Sequence, residues 1–254
     1  MKPDQTASDR QRLDDLLVAR GLFSSRSRAA DAVRRGTVMV EGAVILKPGQ
    51  AVRAGAAVVV DDPARGYVSR AALKLISGLD RFGFDPIGCE ALDIGASTGG
   101  FTQVLLERGA VHVAALDVGH GQLHPGIAGD PRVTAMEGLN ARDLSAADLD
   151  GRIPDFIVSD VSFISLKLAL PPALALAAAG AKAVLLVKPQ FEAGREAIGK
   201  GGLLRDPVEA DRVAEELRQW LDALPGWRAA GLHASPIEGG DGNREFLLGG
   251  VKDR

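Results

Sequence analysis

Hydrophobic residues near the start of the chain recur at the three- and four-residue spacing of a helix. Leucines on one face predict a first helix, which ends at Gly21. Alanine and valine positions predict a second helix, which ends at Gly36 and can be capped by Ser25 or Ser27. Short valine-rich stretches then predict strands, at Thr37–Val40, Val44–Leu46 and Ala57–Val60. This pattern indicates a small α+β unit.

From Glu90 onward, short apolar runs alternate with amphipathic segments. Four runs have the continuous hydrophobicity of buried strands: Glu90–Ile94, Val111–Asp117, Phe156–Asp160 and Ala183–Lys188. Helices are predicted at Phe101–Arg108 and Val208–Leu221. Two final runs, Gly231–Pro236 and Glu245–Gly249, flank a glycine-rich turn and predict a hairpin. Strands separated by helices imply an α/β fold class, a Rossmann-like, doubly wound parallel sheet with a terminal antiparallel hairpin.

The segment between these two regions carries Pro63 and Gly66, which interrupt any regular pattern. We therefore predict a first domain over residues 10–62, a linker over 63–66 and a second domain over 67–254. Charge follows the same division. Residues 10–70 hold eleven lysines and arginines against six aspartates and glutamates, whereas residues 71–254 hold eighteen against twenty-five. The net charge of −3 thus hides a basic front, which indicates contact with nucleic acid.

Composition excludes several other classes of protein. Cys89 is the single cysteine, so neither an internal disulfide nor a cysteine metal cluster is expected. The four histidines lack the spacing of metal ligands, and we expect no metal. The longest apolar stretch, Leu168–Ala181, contains two prolines and is too short to span a bilayer. Because Met1–Arg10 is also polar, we expect a soluble, cytoplasmic protein.

A glycine-rich turn follows the first strand of the predicted sheet and suits a cofactor. Such a turn lets the backbone approach a ligand closely, but this one lacks the G-x-G-x-x-G pattern of dinucleotide sites. Asp93 precedes the turn, where an acid disfavours a pyrophosphate and suits the positive amino-acid end of S-adenosylmethionine. Asp117 ends the next strand, where it can accept hydrogen bonds from ribose hydroxyls or cap a helix. The predicted cofactor-binding residues are Asp93, Gly95, Ala96, Ser97, Thr98, Gly99, Gly100, Phe101, Asp117, Asn140 and Asp160.

Charged residues also stand where strands of the predicted sheet end or begin. Asp160 and Lys188 terminate otherwise apolar runs, and Glu245 starts the last strand. Lys74 lies on the first helix of the second domain. Each charge alone would suit a strand end in water. Since the carboxyl ends of parallel strands line one crevice, we predict that Asp160 and Lys188 converge on a ligand.

The front of the chain resembles the S4-type RNA-binding domain. The resemblance covers about fifty residues and rests on Arg12-Leu-Asp, Ser25-Arg-Ser-Arg-Ala-Ala30 and Gly36-x-Val-x-Val-x-Gly42. It implies contact with the RNA backbone, which neutralises phosphates and gives affinity rather than sequence choice. The RNA-binding residues that it implies are Arg12, Arg26, Arg28, Arg34 and Arg35.

The second domain resembles FtsJ-type ribose 2′-O-methyltransferases, in which the charged residues form a Lys–Asp–Lys–Glu tetrad. Here the implied catalytic residues are Lys74, Asp160, Lys188 and Glu245. With the S4-type front, nearly the whole chain is similar to the TlyA (haemolysin A) family. Its signatures include Asp117-Val-Gly-His-Gly-Gln-Leu123 and Lys188-Pro-Gln-Phe-Glu192. The terminal hairpin is likewise typical of class I methyltransferases.

The resemblance implies methyl transfer from S-adenosylmethionine to the ribose 2′-hydroxyl of a cytidine, with ribosomal RNA or a ribosomal subunit as partner. The sequence ends nine residues after Glu245, without an extension carried by relatives with broader targets. This favours large-subunit rRNA. No metal is required, because the sulfonium is already an activated leaving group.

Three other functions remain open from the sequence alone. A non-catalytic RNA-binding or ribosome-assembly factor could retain the same fold. A membrane-active haemolysin is suggested by the family's older name, although a spanning segment and signal peptide are missing from the sequence. An NAD-dependent oxidoreductase would need a different glycine pattern.

Overall fold

The computed structural model describes residues 9–206, 208–240 and 242–253, and only the backbone of Lys200. Asp241, in the predicted glycine-rich turn, lies outside them. The chain forms two compact units, the first of which ends at Gly66 while the second begins at Tyr67. Among the helices described, none has the length and apolarity needed to cross a membrane.

The first unit packs two helices against two small antiparallel sheets. Its helices are α1 (Leu13–Ala19) and α2 (Arg26–Arg34). Its strands are β1 (Arg10–Arg12), β2 (Val38–Val40), β3 (Ala43–Val44), β4 (Ala51–Arg53) and β5 (Val58–Val60). β1 pairs with β4, and the order of the other sheet is β3-β2-β5. Ser25 caps α2 by accepting a hydrogen bond from the backbone amide of Arg28.

The second unit surrounds a large sheet with helices. Its strands are β6 (Glu90–Ile94), β7 (His112–Asp117), β8 (Val133–Glu137), β9 (Phe156–Ser159), β10 (Lys182–Val187), β11 (Trp227–Ala234) and β12 (Phe246–Lys252). Its α-helices are α3 (Ala72–Phe82), α4 (Gly100–Glu107), α5 (Pro125–Ala128), α6 (Leu166–Ala169), α7 (Pro171–Leu176), α8 (Pro189–Glu192) and α9 (Val208–Ala223). Short 3₁₀ helices lie at Ala141–Asp143, Ala146–Leu149, Arg195–Ala197 and Lys200–Gly202.

The order of this sheet is β11-β12-β10-β9-β6-β7-β8, and β12 runs antiparallel to both of its neighbours. Strands β6 to β10 are parallel. Separate apolar clusters cover the sheet, one including α9 and the other including α3 and α4. The predicted fold class is confirmed, with the parallel sheet, the terminal hairpin and the preceding α+β unit in place.

The strand predictions differ from the structure mainly in short or edge strands. β1 and β4 were not predicted, because three-residue strands with exposed polar positions carry little periodicity. β11 begins at Trp227, four residues before the predicted start. Its half-exposed positions mark it as the edge of the sheet, where hydrophobic alternation is weak.

Candidate functional site

The turn between β6 and α4 is shaped by glycines whose conformation other residues rarely adopt. Gly95 has φ +81°, and a Cβ atom there would lie 3.0 Å from the carbonyl oxygen of Asp160. Gly99 has φ +95° and precedes the first turn of α4. Gly95 brings the β6–α4 turn close to the end of β9, as a ligand-cradling turn requires, whereas Gly99 packs against Leu123 and Ile127.

Asp93 lies beneath this turn instead of facing a cavity. Its side chain is fully buried, and its Oδ2 atom accepts a hydrogen bond from Thr102 Oγ1 at 2.6 Å. Burial raises the pKa of Asp93 to about 7, and the nearby carboxylates of Asp160 and Asp117 add to the increase. The expected contact between Asp93 and the cofactor stays a prediction, although its side chain lines neither of the cavities described below. The last four residues of β6 are buried, because helices cover both faces of the sheet. Asp93 therefore supports the turn from below.

Two adjacent cavities open at the carboxyl ends of the strands. The smaller, of about 150 Å³, is bounded by the β6–α4 turn, Ser69, Asp160 and Lys188. The larger, of about 540 Å³, extends past the end of β7 towards Asn140. They share four lining residues: Gly95, Ser97, Asp160 and Ser162. Of the predicted cofactor residues, Asp93 and Gly99 line neither cavity, and the others line one or both.

Asp117 and Asn140, both of which are predicted cofactor-binding residues, border the larger cavity. Asp117 accepts backbone hydrogen bonds from Ser97 on one oxygen and from Gly119 on the other, each at 2.8 Å. Each carboxylate oxygen has a second lone pair, so further donors can still bind. Asn140 caps a 3₁₀ helix through the backbone amide of Arg142.

Lys188 follows β10 and contacts two groups of the segment that follows β9. Its Nζ atom lies 2.6 Å from Asp160 Oδ1 and donates to Ser162 Oγ at 2.7 Å. All three residues line the smaller cavity. Ser162 was not singled out in the sequence, although it stands only two residues after Asp160. An ammonium has three donors, and only the bond to Ser162 uses one of them here, so Lys188 can still bind a ligand.

Lys74 and Glu245 form a second pair, which is more deeply buried. Lys74 Nζ donates to Glu245 Oε2 at 2.5 Å, and the side chains are 7% and 3% exposed. Lys74 lies on α3, which packs on β10 and β12. The antiparallel register pairs Val187 with Phe246. Lys188, which comes after Val187, and Glu245, which comes before Phe246, therefore lie at the same end of neighbouring strands. The four predicted catalytic residues thus form two ion pairs, of which only Lys188–Asp160 borders the cavities.

The predicted RNA-binding arginines of the first unit are not equivalent. Arg35 is bound to Asp62 through both terminal nitrogens, at 2.8 and 2.9 Å, and to Asp31. Arg12 is bound to Asp14, and Arg26 to Asp15. Arg28 donates to the carbonyl oxygen of Ala64 at 3.3 Å. Arg34 is exposed, and within the described residues its guanidinium forms no ion pair.

The described residues contain no group of three histidine, cysteine, aspartate or glutamate side chains arranged to hold a metal ion. The charged groups at the cavities are instead the lysine and carboxylates at the strand ends. Their chemistry is that of binding, orientation and proton handling.

Comparisons with known proteins agree with this geometry. Residues 67–252 match the FtsJ-like methyltransferase family, and residues 11–58 match the S4 domain. The chain is 45% identical over 240 residues to the 16S/23S rRNA (cytidine-2′-O)-methyltransferase TlyA of Mycobacterium tuberculosis, which covers 94% of this chain and 89% of the relative. It is 38% identical to Hemolysin A of Brachyspira hyodysenteriae, over 93% of this chain and 98% of that protein.

A solved structure also matches both units. It is a Streptococcus thermophilus protein that bears a hemolysin name, with a TM-score of 0.74 and 40% identity. The match covers 96% of this chain and 89% of that chain. The family match, the 45% identity over nearly the whole chain and the shared fold show that the chain belongs to the FtsJ-like methyltransferases of the TlyA type.

Proposed function

We propose that this protein transfers a methyl group from S-adenosylmethionine to the ribose 2′-hydroxyl of a cytidine in ribosomal RNA, with large-subunit rRNA as its target. The observation that carries this proposal is the Lys188–Asp160 pair, which lies at the edge of two joined cavities at the ends of the parallel strands. The charged strand ends and the glycine turn lie within residues 67–252, which match the FtsJ-like methyltransferase family, and residues 11–58 match the S4 domain.

The residues around the cavities fit S-adenosylmethionine. The larger cavity alone, at about 540 Å³, is within the usual size range for small-molecule sites. At Gly95 a side chain would fill the space between the turn and Asp160. Asp117 and Asn140 would hold the nucleoside part, and the turn from Ala96 to Gly100 the amino-acid part. Once bound, the cofactor supplies an electrophilic methyl group on a sulfonium leaving group.

Lys188 would orient the attacking hydroxyl. Its Nζ atom forms an ion pair with Asp160 and donates a hydrogen bond to Ser162, which together fix its position at the cavity. A remaining donor can bind the 2′-oxygen and stabilise the negative charge that develops there, while the hydroxyl proton passes to solvent water. Alignment of the reacting groups would then supply much of the rate increase.

The other charged residues would act through position. Lys74 and Glu245 hold α3 to the start of β12, next to the strand that ends at Lys188. Asp93 supports the cofactor turn through Thr102.

We retain the domain division at residues 10–62, 63–66 and 67–254, with exposed arginines of the first domain contacting RNA phosphates. The cytoplasm is the compartment that we assign.

The decisive experiment maps ribose methylation. Purified protein, labelled S-adenosylmethionine and ribosomes from cells lacking the gene are incubated, and 2′-O-methylated positions are mapped in both rRNAs. We expect one modified cytidine in the large-subunit rRNA. Cofactor-dependent methylation of small-subunit rRNA alone would overturn the target, and no incorporation into free rRNA, subunits or ribosomes would favour a non-catalytic assembly factor.

A further inference from the structure

The segment from Asp160 to Ser165, here called the β9–α6 loop, carries much of the candidate site. Asp160 and Ser162 contact Lys188, and Val161 to Ile164 line the larger cavity. Regular pairing between β9 and β10 ends at Ser159 and Leu185, and the Asp160 backbone amide donates to the carbonyl oxygen of Ile94 in β6 at 3.0 Å, so the sheet holds only the first residue of this loop. Other contacts must fix its position.

The loop also contains a residue in an unfavourable backbone conformation. Phe163 has φ +64°, in the left-handed region that non-glycine residues rarely adopt, and its side chain is 89% exposed. Such a conformation is strained and persists only where surrounding contacts enforce it. The Phe163 ring lies on Phe191 of α8, with centroids 4.9 Å apart.

The next residue of α8, Glu192, binds the end of the loop with both carboxylate oxygens. Oε2 accepts from Ser165 Oγ at 2.6 Å, and Oε1 accepts from the Leu166 backbone amide at 2.7 Å. Bonds from two donors to one carboxylate are stronger than neutral hydrogen bonds and fix direction as well as distance. Because α8 begins directly after Lys188, Glu192 connects the lysine segment to the far end of the loop.

We propose that Glu192 is a positioning residue for methyl transfer, which holds the β9–α6 loop so that Asp160 and Ser162 stay in contact with Lys188 and the cofactor cavity keeps its shape. This inference rests on the proposed function. Glu192 does not line either cavity, and its hydrogen bonds go to Ser165 and Leu166, so its effect is exerted through the loop.

The test compares three variants of the full-length protein. Glu192→Ala removes both hydrogen bonds, whereas Glu192→Gln keeps the shape, with one oxygen for the Leu166 amide and an amide that can donate to Ser165. Glu196→Ala is the matched control, because it removes the same charge from an exposed residue nearby. Hydrogen exchange of residues 160–168, calorimetric binding of S-adenosylhomocysteine, and kcat and KM for rRNA are measured for each.

For Glu192→Ala we expect faster exchange in residues 160–168, and cofactor affinity and kcat each reduced about ten- to hundredfold, with KM for rRNA within about threefold. Glu192→Gln and Glu196→Ala should stay within about threefold of the wild type. Equal losses in Ala and Gln, an equal loss in the control, or wild-type kcat and affinity in Glu192→Ala at reduced thermal stability would each overturn the proposal.

A fourth variant and the choice of measurements keep the result interpretable. If Glu192→Ala does not fold, Ser165→Ala removes one of the two bonds, and it should give a smaller loss of the same kind. Normal affinity and kcat in that variant would then count against the proposal. If the wild type methylates no rRNA, the proposed function fails, while cofactor affinity and hydrogen exchange still decide whether Glu192 holds the loop.

Discussion

The two lysine–carboxylate pairs of the second unit have the same chemistry and different surroundings. Lys74 and Glu245 are 2.5 Å apart and almost completely enclosed, whereas Lys188 and Asp160 are 2.6 Å apart and border a cavity, with side-chain exposures of 11% and 17%. We therefore expect the enclosed pair to fix elements of the fold and the bordering pair to contact a ligand. Burial distinguishes two pairs that the sequence presents as equals.

The largest expected effect is on catalysis at the bordering pair. Lys188→Ala should lower methyl transfer by roughly 10²–10⁴-fold, because the hydroxyl loses the group that orients it and stabilises its developing charge. Cofactor affinity should change little, since Asp117, Asn140 and the glycine turn are untouched. Single-turnover methylation and calorimetry measure both quantities. Lys167→Ala, an exposed lysine nearby, is the control. Full activity in Lys188→Ala would remove this lysine from the mechanism.

The enclosed pair should instead show its effect in stability. Lys74→Met leaves the Glu245 carboxylate buried without its partner, which is expected to lower the free energy of unfolding by about 3–5 kcal/mol. The double variant Lys74→Met/Glu245→Leu should recover most of that loss, because no charge remains buried. Urea unfolding measures both. A Lys74→Met protein as stable as the wild type would show that the pair is hydrated, and the contrast between the pairs would disappear.

A third carboxylate sharpens the comparison because it is buried without a cation. The pKa of Asp93 is raised to about 7, far above the unfolded value of about 3.9, so the folded state binds a proton more tightly than the unfolded state between these values. The contribution of Asp93 to stability therefore falls as pH rises through this window and is least favourable above pH 7. Asp93→Asn should become more stable relative to the wild type by the order of 1 kcal/mol per pH unit from pH 5 to 7.

Urea unfolding of the cofactor-free protein at pH 5, 6, 7 and 8 tests this expectation. Asp150→Asn, in an exposed turn, is the control and should give a difference that does not vary with pH in this way. A stability difference for Asp93→Asn that stays constant, or that shrinks towards pH 8, would contradict the inferred cost of charging Asp93.

The smallest expected effects distinguish two neighbouring arginines of the first unit. Arg34→Ala should weaken RNA binding modestly and reduce the slope of log affinity against log salt by about 1, because one phosphate contact is lost. Arg35→Ala should chiefly reduce stability, since Arg35 is bound to Asp62 and Asp31. Filter binding across a salt series and thermal unfolding separate them. Equal salt slopes in both variants would reject the distinction.

The sequence predicted where strands end better than it predicted what their side chains contact. Continuous apolar runs located β6, β7, β9 and β10, and hence the positions of Asp160 and Lys188, because a sheet covered on both faces excludes polar residues from its strands. The same coverage hides Asp93, which the sequence pattern cannot tell apart from a residue that faces a ligand.

Pairings between distant residues were the part that could not be predicted. Lys74 and Glu245 are 171 residues apart in the sequence, and Glu192 and Ser165 are 27 apart. No local spacing encodes such contacts, which depend on strand order and helix packing. The family resemblance predicted the four charged residues as one set. Only the structure shows that they form an enclosed pair and a bordering pair.

The position of β12 has a consequence for how the enzyme is made. This strand follows β11 in the chain, yet it lies between β11 and β10 in the sheet. Until β12 is synthesised, β11 therefore lacks its neighbour in the sheet, and Lys74 lacks the carboxylate of Glu245. All the residues that line the two cavities are made earlier, so the last strand completes the fold around a site whose parts are already present.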